Sequence, residues 1–413
     1  MIACRRDRRW IASAIVLLTL IGTPFRCFGQ TPSSQLPTDP LPVIRFNDWQ
    51  QTDDLEFGAE FDVTFPSAFK TGIPNNDTVP LKVLIPSDPA FPGPYPVVLI
   101  LHYWGATDLR AEFSLASDLN SRGIAAAIMT LPYHLERTPP GHRSGDLAVP
   151  ATPEGIKQSS TQAVLDIRRS IDFLKSRSEF KSTRTGISGT SLGSLMAALA
   201  YGIDTRIDFG AFVLGGANFA HILWSSSRVT PQREALRHAG YTEEALRQYL
   251  TPVEPLTYLP RKAPTATFVV GARYDTVVSP KSTQELIDVL PGVRTMTLET
   301  GHYGGIFVER KVLREVSNFF YNSFKDRPFE APKKLYAPTI RLGIKSDSSN
   351  GVDVGVGIDL VRFDPLGQNY LNFFLTPKGP QLILAHQIGT GFAIGATGSS
   401  RGAGVGLFWS TVL

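Results

Sequence analysis

The chain has 413 residues, is 42% hydrophobic and 19% charged, and carries a formal net charge of +4 with a pI near 9.0. Five of its 41 basic side chains and one of its 37 acidic ones lie in the first 29 residues, so the remainder holds 36 of each, which excludes a nucleic-acid footprint built on net charge. Both cysteines, Cys4 and Cys27, lie in that opening segment too, so the rest of the chain must be stabilised by its core and not by disulfides.

The opening, MIACRRDRRWIASAIVLLTLIGTPFRCFGQ, sets Arg5, Arg6, Arg8 and Arg9 before an apolar run over residues 10–21, then Gly22 and Pro24. This is the layout of a secretory signal peptide over residues 1–29, and the run is short for a membrane-spanning helix. Cleavage after Gly29 would leave Gln30 first, and the protein is expected to be exported to a periplasm, a cell envelope or the medium. An uncleaved N-terminal anchor is the alternative. Phe25 and Arg26 are poor neighbours for a lipid-modified Cys27. Residues 30–54, rich in Pro, Ser, Thr and Asp, read as a flexible leader.

Residues 61–65 and 81–85 read as early strands, and 96–102, with VVLIL at its centre, as a fully buried one. A helix over 109–119 and a strand over 124–131 follow. Ile156, Ser160, Ala163, Val164, Ile167, Ile171 and Leu174 share one helical face, which predicts an amphipathic helix. A strand to Ser188, a helix from Leu192, strands over 210–214, 266–270 and 294–298, and a helix over 306–324 complete the series. Continuous apolar strands alternating with helices imply an α/β, doubly wound, mainly parallel sheet covered on both faces, spanning residues 55–327. Residues 219–258 interrupt the rhythm with helical patterns and read either as a cap over a pocket or as an ordinary crossover.

Beyond Pro332 the texture changes. Val352, Val354, Val356, Ile358 and Leu360 alternate with Asp353, Gly355, Gly357 and Asp359, after the hairpin signal Asn350-Gly351. Similar alternation recurs near residues 392–396 and 405–409. The tail, residues 335–413, is therefore expected to be a small C-terminal antiparallel β module of about five or six strands, and RPFEAPKKLYAP, residues 327–338, reads as a linker before it. Gly-rich alternation also suits a membrane barrel, but single-chain barrels of that kind start at about eight strands. The module's apolar face suits association with an envelope or membrane surface.

GISGTSLGSL, residues 186–195, places Ser191 between Gly189 and Gly193, after a strand and before a helix. Small neighbours let such a turn close tightly, and the helix N-terminus beneath favours a developing oxyanion. A serine hydroxyl needs a base, and the base an orienting acid. The strand in TATFVVGARYDTVV delivers Asp275 and the strand in VRTMTLETGHYGG delivers His302, both just past a sheet edge. His221 and His238 lie in the insertion, His386 in the tail, Asp204 and Asp208 before a strand, and Glu299 would cap a strand end, so each competes less well. For the oxyanion, one amide donor is the N–H of Leu192. The second comes from the loop LILHYWGATD: Trp104 by position, with Tyr103 as fallback.

Over residues 55–327 these motifs resemble the α/β-hydrolase superfamily, and more loosely its dienelactone hydrolase and acyl-esterase branch. The resemblance implies an eight-stranded, mainly parallel sheet and a Ser-His-Asp mechanism. HYWG stands where HG-x-G is commoner, Ser194 where a second glycine is common, and Ser191 where dienelactone hydrolase has cysteine.

The expected activity is hydrolysis of small-molecule carboxylic esters through Ser191, Asp275 and His302 and an acyl-enzyme intermediate. A serine peptidase of the same fold is one alternative. An envelope-associated binding protein with a vestigial hydrolase core is another. No His/Asp/Glu cluster has ligand spacing, so no metal or organic cofactor is expected.

Overall fold

The computed structural model describes residues 35–413, apart from 56–57, 263–265, 350, 365–367, 390 and 413; the expected signal peptide, 1–29, lies outside the described residues. Three antiparallel strands lead in: β1 (Gln50–Leu55), β2 (Gly58–Pro66) and β3 (Thr78–Pro86). Then come β4 (Tyr95–Leu101), α1 (Arg110–Asn120), β5 (Ala125–Met129), α2 (Pro153–Ser176), β6 (Phe180–Thr190), α3 (Leu192–Ile203) and β7 (Phe209–Val213). The insertion carries α4 (Phe219–Ser225), α5 (Thr230–His238), α6 (Glu243–Leu250) and the short α7 (Pro255–Tyr258). β8 (Thr267–Ala272), α8 (Pro280–Asp288), β9 (Arg294–Glu299), α9 (Glu309–Phe324) and β10 (Lys334–Tyr336) finish the sheet, whose order is β1-β2-β3-β5-β4-β6-β7-β8-β9-β10.

The apolar runs explain the layering. Along β4, Val97, Leu99 and Leu101 pack into one core with α2 and α3, while Val98 and Ile100 pack into a second core with α1 and α9. A strand apolar at every position is thus covered on both faces. On α2, Thr152 accepts from Gly155 N at 3.2 Å as N-cap, Pro153 fits the first turn, and the face from Ile156 to Leu174 is buried. The strand order reverses at β4, with β5 on one side and β6 on the other, all parallel. Crevices for ligands form outside the carboxyl ends of strands at such a reversal.

The leader is not loose where the structure describes it. Leu36 is buried and its N–H donates to Tyr258 Oη at 2.9 Å, and Arg168 and Arg169 on α2 donate to main-chain oxygens of Pro37, Thr38, Asp39 and Pro42. Trp49 stacks on Phe61 beneath the Arg177 guanidinium, and β1 follows from Gln50. Prolines promote extended backbone, and guanidinium donors from α2 take up the carbonyls such a segment leaves unpaired.

The tail forms a closed barrel of six antiparallel strands: β11 (Thr339–Asp347), β12 (Gly351–Arg362), β13 (Asn369–Thr376), β14 (Gly379–Gln387), β15 (Phe392–Ser399) and β16 (Gly402–Val412). Each strand pairs with the next, and β16 closes on β11. Its interior is mixed: a cluster of Tyr370, Phe374, Ile383, Ala385, Ala393 and Phe408 shares it with buried charged and polar side chains. Arg341, Lys345, Asp347, Asp353, Asp359 and Asn372 point inward and are buried, while Ile344, Val354, Leu384 and Leu407 point outward and are exposed. Inside, Arg341 Nε bonds Asp359 at 2.8 Å, Asn372 donates to the same carboxylate at 2.8 Å, and Lys345 pairs with Asp347. Six strands leave a narrow interior. Inward glycines make room: a Cβ on Gly357 would sit 2.3 Å from Asn372 Oδ1.

Residues 327–338 do not behave as a linker. Lys334–Tyr336 pairs parallel with β9, so the sheet runs past residue 327. The barrel touches the loops at the sheet's carboxyl edge: Thr300 Oγ1 donates to Pro338 O at 2.7 Å, Thr276 Oγ1 to Val412 O at 2.9 Å, and the Arg362 guanidinium lies 3.5 Å from the Tyr274 ring centre.

Candidate active site

Ser191 sits between β6 and α3 with φ 54° and ψ −116°, a backbone conformation that side chains rarely adopt. The turn closes because its neighbours are small. A Cβ on Gly189 would lie 2.3 Å from Gly193 C, and one on Gly193 would lie 2.5 Å from the carbonyl oxygens of Leu101 and His102. The Ser191 N–H is tied to Val213 O at 2.9 Å, which fixes the turn to β7.

The residues picked out in sequence come together here. Ser191 Oγ lies 2.9 Å from His302 Nε2, and Asp275 Oδ2 accepts from His302 Nδ1 at 2.7 Å. Asp275 follows β8 and His302 follows β9, and both are buried. Asp275 Oδ1 accepts from the amides of Val277 and Val278 at 2.8 Å each, which fixes the orientation of the carboxylate. The competitors lie elsewhere. His221 pairs with Glu243, His386 bonds Asn369 on the barrel, Asp204 holds Arg206, Asp208 accepts from Thr185 N, and Glu299 bonds Arg273 and Lys334.

Leu192 opens α3, where an N–H has no carbonyl partner within its own helix. Trp104 and Ser191 line the same cavities. The Trp104 indole donates to Gly145 O at 2.8 Å, and Arg228 caps its ring at 4.6 Å while bonding Trp104 O at 3.2 Å and Tyr303 Oη at 2.6 Å. Tyr103 stays at the mouth, partly exposed.

Two buried histidines hold this loop. His102 Nδ1 bonds Tyr103 O at 2.8 Å and its Nε2 accepts from Leu131 N at 3.0 Å. His134 Nδ1 bonds Pro132 O at 2.8 Å and its Nε2 accepts from Gly105 N at 3.0 Å. One nitrogen donates and the other accepts, as in neutral imidazole. Burial pushes His102 down to about 3, helped by His134 beside it, and pushes His134 down to about 4. His134, Gly145 and Arg228 carry no sequence signal of such roles: each lies in a loop or insertion far from the Ser191 turn.

Two clefts meet at Ser191. One, a narrow cleft, is walled by Ile156 and Ala163 of α2, Leu195 and Met196 of α3, and Phe219, Ile222 and Leu223 of the insertion. The insertion thus forms one side of an apolar cavity. The other cleft holds His302 and Tyr303 and reaches Ile340 on the barrel's first strand. Ala111 of α1 lines this cleft, and the next residue, Glu112, is buried, with its carboxyl pushed up to about 7 by burial.

No family model and no curated protein matches the sequence. Among solved structures, the acetyl xylan esterase from Paenibacillus sp. R4 is similar over 66% of this chain and 88% of its own, at 20% identity and a TM-score of 0.51. Acetyl xylan esterase 1 from Thermoanaerobacterium sp. JW/SL YS485 is similar over 64% of this chain and 87% of its own, at 12% identity and a TM-score of 0.49. The first of these likenesses, the strand order around β4 and the strained serine between β6 and α3 agree: the chain has the α/β-hydrolase fold, with a closed antiparallel barrel at its C-terminal end.

Proposed function

We propose that this protein is an exported serine hydrolase that cleaves carboxylic esters with apolar acyl groups. The observation that carries the reading is the unbroken relay from Ser191 Oγ through His302 to Asp275, at 2.9 and 2.7 Å, beside an apolar cavity. Ser191 attacks the ester carbonyl and His302 takes its proton at Nε2. Asp275 holds the ring through Nδ1–H and stabilises its charged form. The N–H groups of Leu192 and Trp104 receive the oxyanion. His302 then returns the proton to the leaving alcohol, and water repeats the sequence on the acyl-enzyme to release the acid. Export rests on the arginine-rich start and short apolar run of residues 1–29.

A fluorophosphonate probe followed by peptide mapping tests the assignment, alongside p-nitrophenyl esters of graded chain length and aminoacyl nitroanilides. Label on Ser191 with turnover of esters alone is the expected result. Folded protein that resists the probe, or prefers the anilides, overturns it.

A further inference from the structure

Among the described residues, 18 of the 24 exposed large apolar side chains fall between Leu342 and Trp409, all in the barrel or its connecting loops. They are not gathered on one side. Ile344, Val354, Phe373, Leu384, Ile394 and Leu407 represent all six strands in turn, each between 38% and 59% exposed, so the apolar wall runs round the whole circumference. A protein partner covers one side of such a wall; only a surrounding medium covers all of it.

We propose that this wall is immersed in the hydrocarbon of a lipid bilayer and that the barrel anchors the hydrolase to it. Three further features fit lipid. Closure of β16 on β11 leaves no strand edge, and lipid tolerates backbone only when every amide is paired within the structure. The outward positions are aliphatic while ion pairs are kept inside beside the cluster of Tyr370, Phe374, Ile383 and Phe408, where a water-soluble barrel would turn its charges outward. The two ends also differ. The hydrolase end carries exposed Phe363, Phe392 and Trp409, as aromatic girdles do at an interface, and the far end closes in short turns that include Lys378 and Arg401.

The apolar band is somewhat shorter than that of a membrane barrel. From Val352 to Leu360 the outward residues of β12 cover roughly 26 Å of strand, or roughly 19 Å of height at a tilt of about 45°. The aromatic rim at Phe363 extends this toward the ~25 Å band of membrane barrels. Membrane barrels that serve as pores start at about eight strands; with six, this one encloses too little space for an aqueous channel and its interior is filled by side chains, so the module is an anchor and not a pore.

The test uses the full chain with phosphatidylcholine vesicles brominated at successive acyl carbons. The protein should float with the vesicles after an alkaline carbonate wash, and brominated chains should quench the part of the tryptophan emission that Trp409→Phe removes. Val354→Arg combined with Ile394→Arg, on opposite walls, should cut flotation at least ten-fold while the hydrolase retains its melting transition. The quenching measurement needs no wall variant, so misfolding of the double variant leaves it decisive. A detergent-free monomer or discrete oligomer in the aqueous phase, with Trp409 emission indifferent to brominated lipid, overturns the proposal.

Discussion

Thr276 Oγ1 donates to the main-chain oxygen of Val412 at 2.9 Å, joining the residue after Asp275 to the last strand of the barrel. On the other side, Thr300, two residues before His302, donates to Pro338 O at 2.7 Å, and a Cβ on Gly304 would lie 2.4 Å from that same oxygen. The barrel therefore braces both loops that present the histidine and its acid.

A chain ending near Glu330 would lose β10, both bonds and Ile340 from the cleft wall. Each of these part-buried hydrogen bonds is worth about 1 kcal/mol, and the loops it held gain freedom. The truncated protein should melt lower and lose at least ten-fold in kcat on a small ester, with Asp275 and His302 still present. Equal melting temperature and kcat in the two forms would show that the brace is idle.

Ser191→Ala should keep the fold and lose on the order of 10³-fold or more in kcat on esters. Asp275→Asn should be severe as well, since the amide cannot hold the imidazole as the carboxylate does. Glu299→Gln breaks only the contacts to Arg273 and Lys334, so its kcat should stay within a few fold of wild type. A tenth of the activity surviving in Ser191→Ala rejects the nucleophile, and a worse loss in Glu299→Gln than in Asp275→Asn rejects the acid.

Much of this was legible in sequence, for reasons particular to the residues. VVLIL predicts a strand buried on both faces, and Ser191, Asp275 and His302 each follow a strand in the order the fold requires; the structure brings them within hydrogen-bond distance. What could not be read depends on distant partners. The leader looks loose because its ordering comes from Arg168 and Arg169, more than a hundred residues away. β10 is three residues in a proline-rich stretch and exists only because β9 offers an edge. Alternation along 352–360 announces two faces but not which is inside; the Asp353 and Asp359 face turns inward because Lys345 and Arg341 wait there, on a strand that closes against β16.

The buried histidine pair predicts acid lability. His102 and His134 are neutral in the fold, near about 3 and about 4, while an unfolded histidine titrates near 6.5. The unfolded state therefore binds more protons below that value, so stability falls as pH drops from ~6.5 toward ~4. Each histidine contributes on the order of 1.4 kcal/mol per pH unit within that window. His134→Gln keeps an acceptor for Gly105 N and removes one of the two titrating groups. Glu112, pushed up to about 7, takes its proton in the fold over the same interval and opposes the histidines, so chemical denaturation at pH 7, 6 and 5 should show a slope lower than wild type by one histidine's share, on the order of 1.4 kcal/mol per pH unit. An unchanged slope would mean that His134 is not held neutral.

The last prediction concerns chain length. Ala163 on α2 lines the apolar cleft beside Ser191, together with Ile222 and Leu223, and is buried. A bulkier side chain there would fill the space an acyl chain needs without touching Ser191, His302 or Asp275. Burial of each methylene is worth about 0.8 kcal/mol, so excluding three carbons costs about 2 kcal/mol in transition-state binding. Ala163→Phe should lower kcat/KM on p-nitrophenyl octanoate by at least ten-fold and leave p-nitrophenyl acetate within about three-fold of wild type. A melting curve guards against an overpacked core. If both esters fell equally in a folded variant, the acyl chain would lie in the other cleft, toward Tyr303 and Ile340, and Ala163→Phe would be acting only through packing of α2.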